Sequence, residues 1–116
     1  MLFRSIPGFL SALREQSGLS AKALEFLILT ATRSGEVRGA TWAEIDLDEG
    51  VWTIPAGRMK AGREHRVPLS RQAIRLLSGL SRVQGCDLVF PGTKGQPLSD
   101  MSLTAVMRRI DRRAHV

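Results

Sequence analysis

Arg33 is the residue in this sequence whose type and position most clearly suggest chemistry. It follows a strongly apolar segment that ends at Ala31, and Glu36 stands three residues after it. A guanidinium group presents a planar fork of N–H donors that fits two oxygens of a phosphate or a carboxylate. Two interpretations are therefore open: Arg33 binds a phosphate group, or it forms an ordinary ion pair with Glu36 at a helix end. The spacing alone favours the ion pair.

The basic residues are mostly arginine and are concentrated in the second half of the chain. The 116 residues include 17 Lys and Arg against 11 Asp and Glu, a net charge of +6, and 14 of the 17 are Arg. Residues 1–50 carry five basic and seven acidic side chains, whereas residues 51–116 carry twelve and four. The positive electrostatic field of residues 51–116 favours nucleic acid as a partner. The alternative is a solvated basic surface without a partner.

Lys60 is the second candidate for chemistry. It lies between two segments with strand character, in a stretch that begins at Gly57 and ends at Arg63. Glycines in such a stretch predict a hairpin tip that carries the lysine. Lysines at hairpin tips are usually just solvated, so the position alone does not assign a role to Lys60.

Length and composition exclude several classes of protein. With 116 residues, 43% hydrophobic and 24% charged, the chain predicts one soluble globular domain. We find no apolar run long enough for a membrane span and no secretory signal pattern, so a cytoplasmic protein is expected. A single cysteine, Cys86, cannot form an internal disulfide, and His65 and His115 are too far apart for a structural zinc site. Trp42 and Trp52 are expected to pack inside the fold rather than stack on bases.

Helices are predicted before and after the candidate arginine. A short helix is expected over 6–16. The next helix is expected to have Ser20 as its N-cap and to deliver its C-terminal end at residues 32–35. Its apolar residues cover nearly its whole surface, so it belongs in the core. Gly35 is expected to turn the chain into a brief helix over 36–41.

Two strands are predicted to flank Lys60. They comprise residues 51–54 and 65–69, which are rich in residues that favour strands, and an acidic turn over 46–50 precedes the first. Pro68 cannot donate a hydrogen bond to a neighbouring strand, so the second strand is expected at a sheet edge or to end there.

The remaining chain is predicted to form two helices joined by a loop. Ser70 is expected to cap a helix over 71–83, and a loop over 87–97 leads to a last helix that starts at Ser99 or Asp100. The apolar face of this last helix is expected to consist of Leu103, Val106, Met107 and Ile110.

Three segments resemble, in order and spacing, motifs of the tyrosine recombinases, the phage integrase family. Residues 31–46, ATRSGEVRGATWAEID, are similar to the family's first catalytic-arginine motif. Residues 60–70, KAGREHRVPLS, are similar to its lysine hairpin, and residues 88–91, LVFP, followed by 98–99, resemble the loop before its histidine motif. Together the similarity covers about residues 24–110.

The resemblance implies a mainly helical fold with a small antiparallel sheet (α+β), like the catalytic domain of DNA breaking-rejoining enzymes. It implies transfer of a DNA phosphodiester to a tyrosine through a 3′-phosphotyrosyl link, with no metal, no other cofactor and no small-molecule substrate. Arg33 and Lys60 would be catalytic, and Glu36 would support Arg33. The residues expected to contact double-stranded DNA are Lys60, Arg63, Arg66, Arg108, Arg109, Arg112 and Arg113. The last four have an alternative role, because cations are also favoured at a helix C-terminus.

The sequence also departs from the family's pattern. It contains no tyrosine and no His-x-x-Arg motif, and His115 has no residue three positions later. We therefore expect residues 1–116 to be a partial catalytic domain, without the family's N-terminal core-binding domain and C-terminal nucleophile segment, and to be inactive alone. Self-association and a place at the bacterial nucleoid are also expected. The alternatives are a non-catalytic DNA-binding module or regulator on the same scaffold, and a non-functional gene remnant.

Overall fold

The computed structural model describes residues 18–59 and 61–114, and side chains as far as residue 110. The helix predicted over 6–16 lies outside the described residues. The same holds for Lys60 and for the side chains of Arg112 and Arg113.

A buried helix, α1 (Leu19–Thr30), packs against the three other α-helices of the described residues. Ala23 and Phe26 are fully buried, which confirms the predicted core helix. The prediction of Ser20 as N-cap is wrong, because the helix begins at Leu19 and its N-cap position is Gly18, at φ 101°. Glycine adopts this conformation readily because it has no Cβ.

The helix ends at Thr30, so the predicted end at residues 32–35 is wrong. Ala31 makes the turn after α1, and the prediction that Gly35 makes it is also wrong. Ala31 adopts the left-handed conformation, with φ 54° and ψ 38°, and its N–H donates to the Ile28 carbonyl. The next helix, α2 (Ser34–Arg38), therefore starts earlier than the predicted 36–41 and contains Gly35 within it.

The sheet has three antiparallel strands in the order β1 (Ile45–Asp46), β2 (Val51–Ile54) and β3 (His65–Pro68). The second and third strands confirm the sequence prediction, and β3 lies at a sheet edge, as Pro68 requires. The first strand was not predicted, because two residues are too short to show an alternating pattern.

Two more helices complete the described fold. The first, α3 (Arg71–Ser78), is capped as predicted, since the Ser70 hydroxyl accepts a hydrogen bond from the Ala73 N–H at 3.2 Å, but it ends at Ser78 rather than at residue 83. The second, α4 (Asp100–Ala114), buries Leu103, Val106 and Ile110. Met107 does not belong to this buried face, because it is 36% exposed.

Aromatic side chains join α1 to the sheet and to the loop before α4. The Phe26 ring lies 5.1 Å from the Trp52 ring and 5.7 Å from the Phe90 ring, measured between centroids. Trp52 is fully buried and Trp42 is 7% exposed, so both tryptophans pack inside as predicted. The architecture confirms the predicted fold class, mainly helical with a small antiparallel sheet. Among the described helices, none combines the length and the hydropathy needed to span a membrane.

Candidate functional site

Arg33 occupies an extended position between the turn at Ala31 and the start of α2. Its backbone has φ −94° and ψ 154°, and its side chain is exposed. No residue in the described part of the chain pairs with its guanidinium, so the ion pair with Glu36 that the spacing favours does not form. Within the described residues, the side chain of Arg33 is exposed and its N–H donors are unused.

Glu36 supports Arg33 through the backbone. Its Oε1 accepts a hydrogen bond from the Arg33 backbone N–H at 3.1 Å. Near the start of α2 the carboxylate also lies where the helix dipole favours negative charge. The contact fixes the direction in which the chain enters α2, and with it the place where the Arg33 side chain emerges.

The first and last residues of α2 are tied to the start of α4 and to the segment just before it. The Ser34 hydroxyl donates to the Asp100 carboxylate at 2.5 Å, and the Arg38 Nε donates to the Ser34 hydroxyl at 2.9 Å. Arg38 also donates from Nη1 to the Leu98 carbonyl at 3.2 Å. These bonds hold the short helix that follows Arg33 against a longer one.

An open cavity of about 450 Å³ brings the arginine motif and the lysine segment together. Arg33 lines it from the start of α2, and Met59 and Ala61, the two neighbours of Lys60 in sequence, line it from the β2–β3 connection. The residues on either side of the lysine therefore lie at the same cavity as Arg33. The two motifs are far apart in sequence, so sequence alone does not show that they are close. They come together because β2 pairs with β3 in the sheet.

His65 is a residue of this cavity that sequence reasoning did not select. It is the first residue of β3, pairs with Ile54 across the sheet and lines the same cavity as Arg33. Its place in the strand after the lysine segment is the signal that could have identified it. Within the described residues, no group of three or more His, Cys, Asp and Glu side chains is arranged to hold a metal ion.

Arg58 is a second residue that sequence reasoning missed. It lies two positions before Lys60, and its guanidinium binds both carboxylate oxygens of Glu44, at 2.8 and 2.9 Å. It also donates to the backbone carbonyl of Glu36 at 3.2 Å. Nothing in the local sequence pattern signals these contacts, because their partners lie 14 and 22 residues away.

The arginines predicted to contact DNA fall into two groups. Arg63 and Arg66 are exposed on the β2–β3 connection and on β3, next to the cavity-lining His65. Arg108 and Arg109 are exposed on α4 and line another groove, together with residues of the α1 start and of α4 itself. The first group is therefore close in sequence to a residue of the Arg33 cavity, and neither group is among the residues that line it.

Solved structures of DNA recombinases share this fold. XerA recombinase aligns with 98% of this chain and 43% of its own, with a TM-score of 0.68 and 15% identity. XerH recombinase, in a post-cleavage complex with palindromic difH, aligns with 94% of this chain and 34% of its own, with a TM-score of 0.69 and 24% identity. The chain therefore shares the fold of part of these recombinase structures.

Sequence comparison defines the family. The model of the phage integrase family matches residues 3–116. Prophage integrase IntZ of Escherichia coli is 41% identical over 108 residues, covering 90% of this chain and 27% of its own length. The integrase of Enterobacteria phage P4 is 41% identical over 101 residues, covering 74% and 23%. The chain belongs to the phage integrase family and spans about a quarter of the length of these relatives.

Proposed function

We propose that these residues form the front part of the catalytic domain of an integrase, a site-specific recombinase that cuts and rejoins double-stranded DNA through a 3′-phosphotyrosyl intermediate. The observation that carries this proposal is the single cavity lined by Arg33 and by both neighbours of Lys60. Relatives named as integrases support it more than they support a non-catalytic regulator.

The first step of the reaction is an exchange of phosphate esters. A tyrosine oxygen forms a bond to the scissile phosphorus, and the bond from phosphorus to the 5′ oxygen breaks. The 116 residues contain no tyrosine, so the nucleophile comes from outside them. Negative charge develops on the non-bridging oxygens during this exchange, and preorganised donors stabilise it most when they need no rearrangement. Arg33 supplies N–H donors for this charge, and the bond from its backbone N–H to Glu36 helps to position it.

Lys60 is the proposed proton donor to the strand that leaves. When the bond to the 5′ oxygen breaks, that oxygen takes a proton, and the Lys60 ammonium donates it to give the 5′ hydroxyl. In the rejoining step the neutral amine accepts the proton back. Met59 and Ala61, the two neighbours of Lys60 in sequence, line the Arg33 cavity, and their placement supports this role.

The role of Lys60 can be tested in a completed recombinase, by which we mean IntZ with its matching segment replaced by residues 1–116. Lys60→Ala is expected to slow cleavage by about 10²-fold or more, the usual scale for a lost general acid. A substrate with sulfur in place of the bridging 5′ oxygen should restore the rate, because a thiolate leaves without protonation. Covalent complexes resolved on a denaturing gel measure both rates. If the sulfur substrate gives no recovery, Lys60 is not the proton donor.

Double-stranded DNA is the proposed partner, and the positive charge of residues 51–116 is the proposed source of affinity. The 116-residue chain is expected to bind duplexes weakly and with little sequence preference. If the chain contacts six or seven phosphates, raising the salt concentration from 50 to 200 mM should lower its affinity by about 10³-fold, because binding releases condensed counterions. Fluorescence anisotropy titrations at the two salt concentrations measure this. Equal affinities would show that binding does not depend on phosphate contacts.

Self-association is proposed together with DNA binding. Lambda integrase, whose fold this chain shares at 18% and 19% identity, is described as a dimer bound to a COC′ core site and as a tetramer bound to a Holliday junction. An equivalent assembly on DNA would place several copies of the Arg33 cavity on one substrate.

A further inference from the structure

The Arg58 guanidinium connects the β2–β3 connection to two other segments of the fold. Its Nε and Nη2 donate to the two carboxylate oxygens of Glu44, and Nη2 donates as well to the Glu36 carbonyl in α2. The Arg58 side chain is 27% exposed and the Glu44 side chain 8%. A bidentate pair that is this well covered holds its geometry better than an exposed ion pair does.

Glu44 is itself fixed in place. Its Oε1 accepts a hydrogen bond from the Trp52 indole N–H at 3.1 Å and another from the Thr41 backbone N–H at 3.4 Å. Trp52 is fully buried in the core. The carboxylate that binds Arg58 is therefore bonded to a fully buried residue of the sheet.

Gly39, just after α2, provides the space that Arg58 occupies. A Cβ built on Gly39 would collide with the Nη1 of Arg58. The backbone of Gly39 has φ −95°, a conformation that any residue can adopt, so backbone geometry does not require glycine here. The need for glycine comes from the guanidinium lying against the chain.

We propose that Arg58 is a positioning residue that fixes the segment carrying Lys60 relative to the turn of α2 that carries Glu36, and so relative to Arg33. The inference rests on the proposed function of Lys60. Met59 follows Arg58 in sequence and lines the Arg33 cavity. Lys60 is therefore only two positions along the chain from the anchored Arg58. Lysine at position 58 would keep the charge but lose the planar fork that joins Glu44 and Glu36.

The first test uses the 116-residue chain itself. Arg58→Gln is expected to raise amide hydrogen exchange across residues 57–64 by about tenfold or more, because local opening no longer breaks the three bonds. Exchange in α1 and β2 should stay unchanged. Arg71→Gln, which removes an exposed arginine on α3, is the matched control and should leave both regions unchanged. Unchanged exchange over 57–64 in Arg58→Gln would overturn the inference.

The second test uses cleavage by the completed recombinase. Arg58→Lys is expected to slow cleavage of the ordinary substrate by about 10²-fold, the scale of a misplacement near 1 Å. The bridging-sulfur substrate should restore most of this loss, because it removes the need for Lys60. In the double variant with Lys60→Ala, cleavage should be no slower than with Lys60→Ala alone. A purely structural role would lower cleavage of both substrates equally.

Gly39→Ala provides an independent variant that keeps Arg58. Its methyl group would displace the guanidinium, so it should reproduce the slow cleavage and the sulfur rescue of Arg58→Lys. If Lys60→Ala is itself not rescued by sulfur, the proposed function of Lys60 fails and the inference fails with it. If Lys60→Ala is rescued but Arg58→Lys and Gly39→Ala are not, the inference alone is wrong.

Discussion

Arg33→Ala is expected to reduce covalent complex formation by the completed recombinase by about 10²-fold or more, the scale for removing one preorganised transition-state donor. Folding should change little, because the Arg33 side chain is exposed and no described residue bonds to its guanidinium. Duplex affinity should also stay nearly constant, since one phosphate contact among many is lost. A suicide duplex that traps the covalent intermediate measures the rate, and anisotropy measures the affinity.

Arg71→Ala is the matched control for charge. It removes an equally exposed arginine on α3, outside the residues that line the Arg33 cavity. Trapping by this variant should equal that of the unchanged protein. If Arg33→Ala traps the intermediate at the normal rate, Arg33 does not bind the transition state. If trapping falls only in proportion to DNA affinity, Arg33 contributes to substrate binding alone.

Trp52→Ala is expected to lower the free energy of unfolding of the 116-residue chain by about 3–5 kcal/mol, as for other buried aromatic residues cut to alanine. The indole is fully buried, lies against Phe26 and donates to Glu44. Its removal leaves a cavity and takes away one of the bonds that hold Glu44. A loss of this size is comparable to the whole stability of many small domains. Urea denaturation followed by far-UV circular dichroism measures it.

Two further variants separate the causes of that loss. Trp52→Phe keeps most of the buried volume and removes the N–H donor, so it should cost about 1–3 kcal/mol, the range for a hydrogen bond to a charged group. Val83→Ala changes an apolar side chain that is 51% exposed and should stay within about 0.5 kcal/mol of the unchanged chain. A Trp52→Ala chain as stable as Val83→Ala would contradict the described core.

The elements that the sequence predicts correctly have strong local signals. Helix α1 is apolar over several turns, and Ser70 stands where its hydroxyl can cap α3. The errors fall where local chemistry allows more than one outcome. Ser20 is a good cap by type, yet Gly18 two residues earlier takes that position, and Ala31 adopts a left-handed turn that glycine would ordinarily make.

The candidate site was less accessible to sequence reasoning than the fold. Spacing alone favours a simple ion pair for Arg33 and a solvated side chain for Lys60. The resemblance of their surroundings to family motifs is what identifies both as candidates. Arg58 and His65 were missed because their surroundings form only when β2 pairs with β3 and the connection folds back on α2. Contacts between residues so far apart in sequence leave no periodic pattern.

The edge position of β3 also affects how the protein behaves at high concentration. A sheet edge with unpaired N–H and C=O groups can pair with the edge of another molecule and start aggregation. Along β3, Pro68 removes one N–H donor, and the exposed Arg66 places a positive charge in the middle of the strand. Two copies that approached each other along this edge would bring like charges together. The strand that borders the Arg33 cavity is thereby protected against edge-to-edge aggregation.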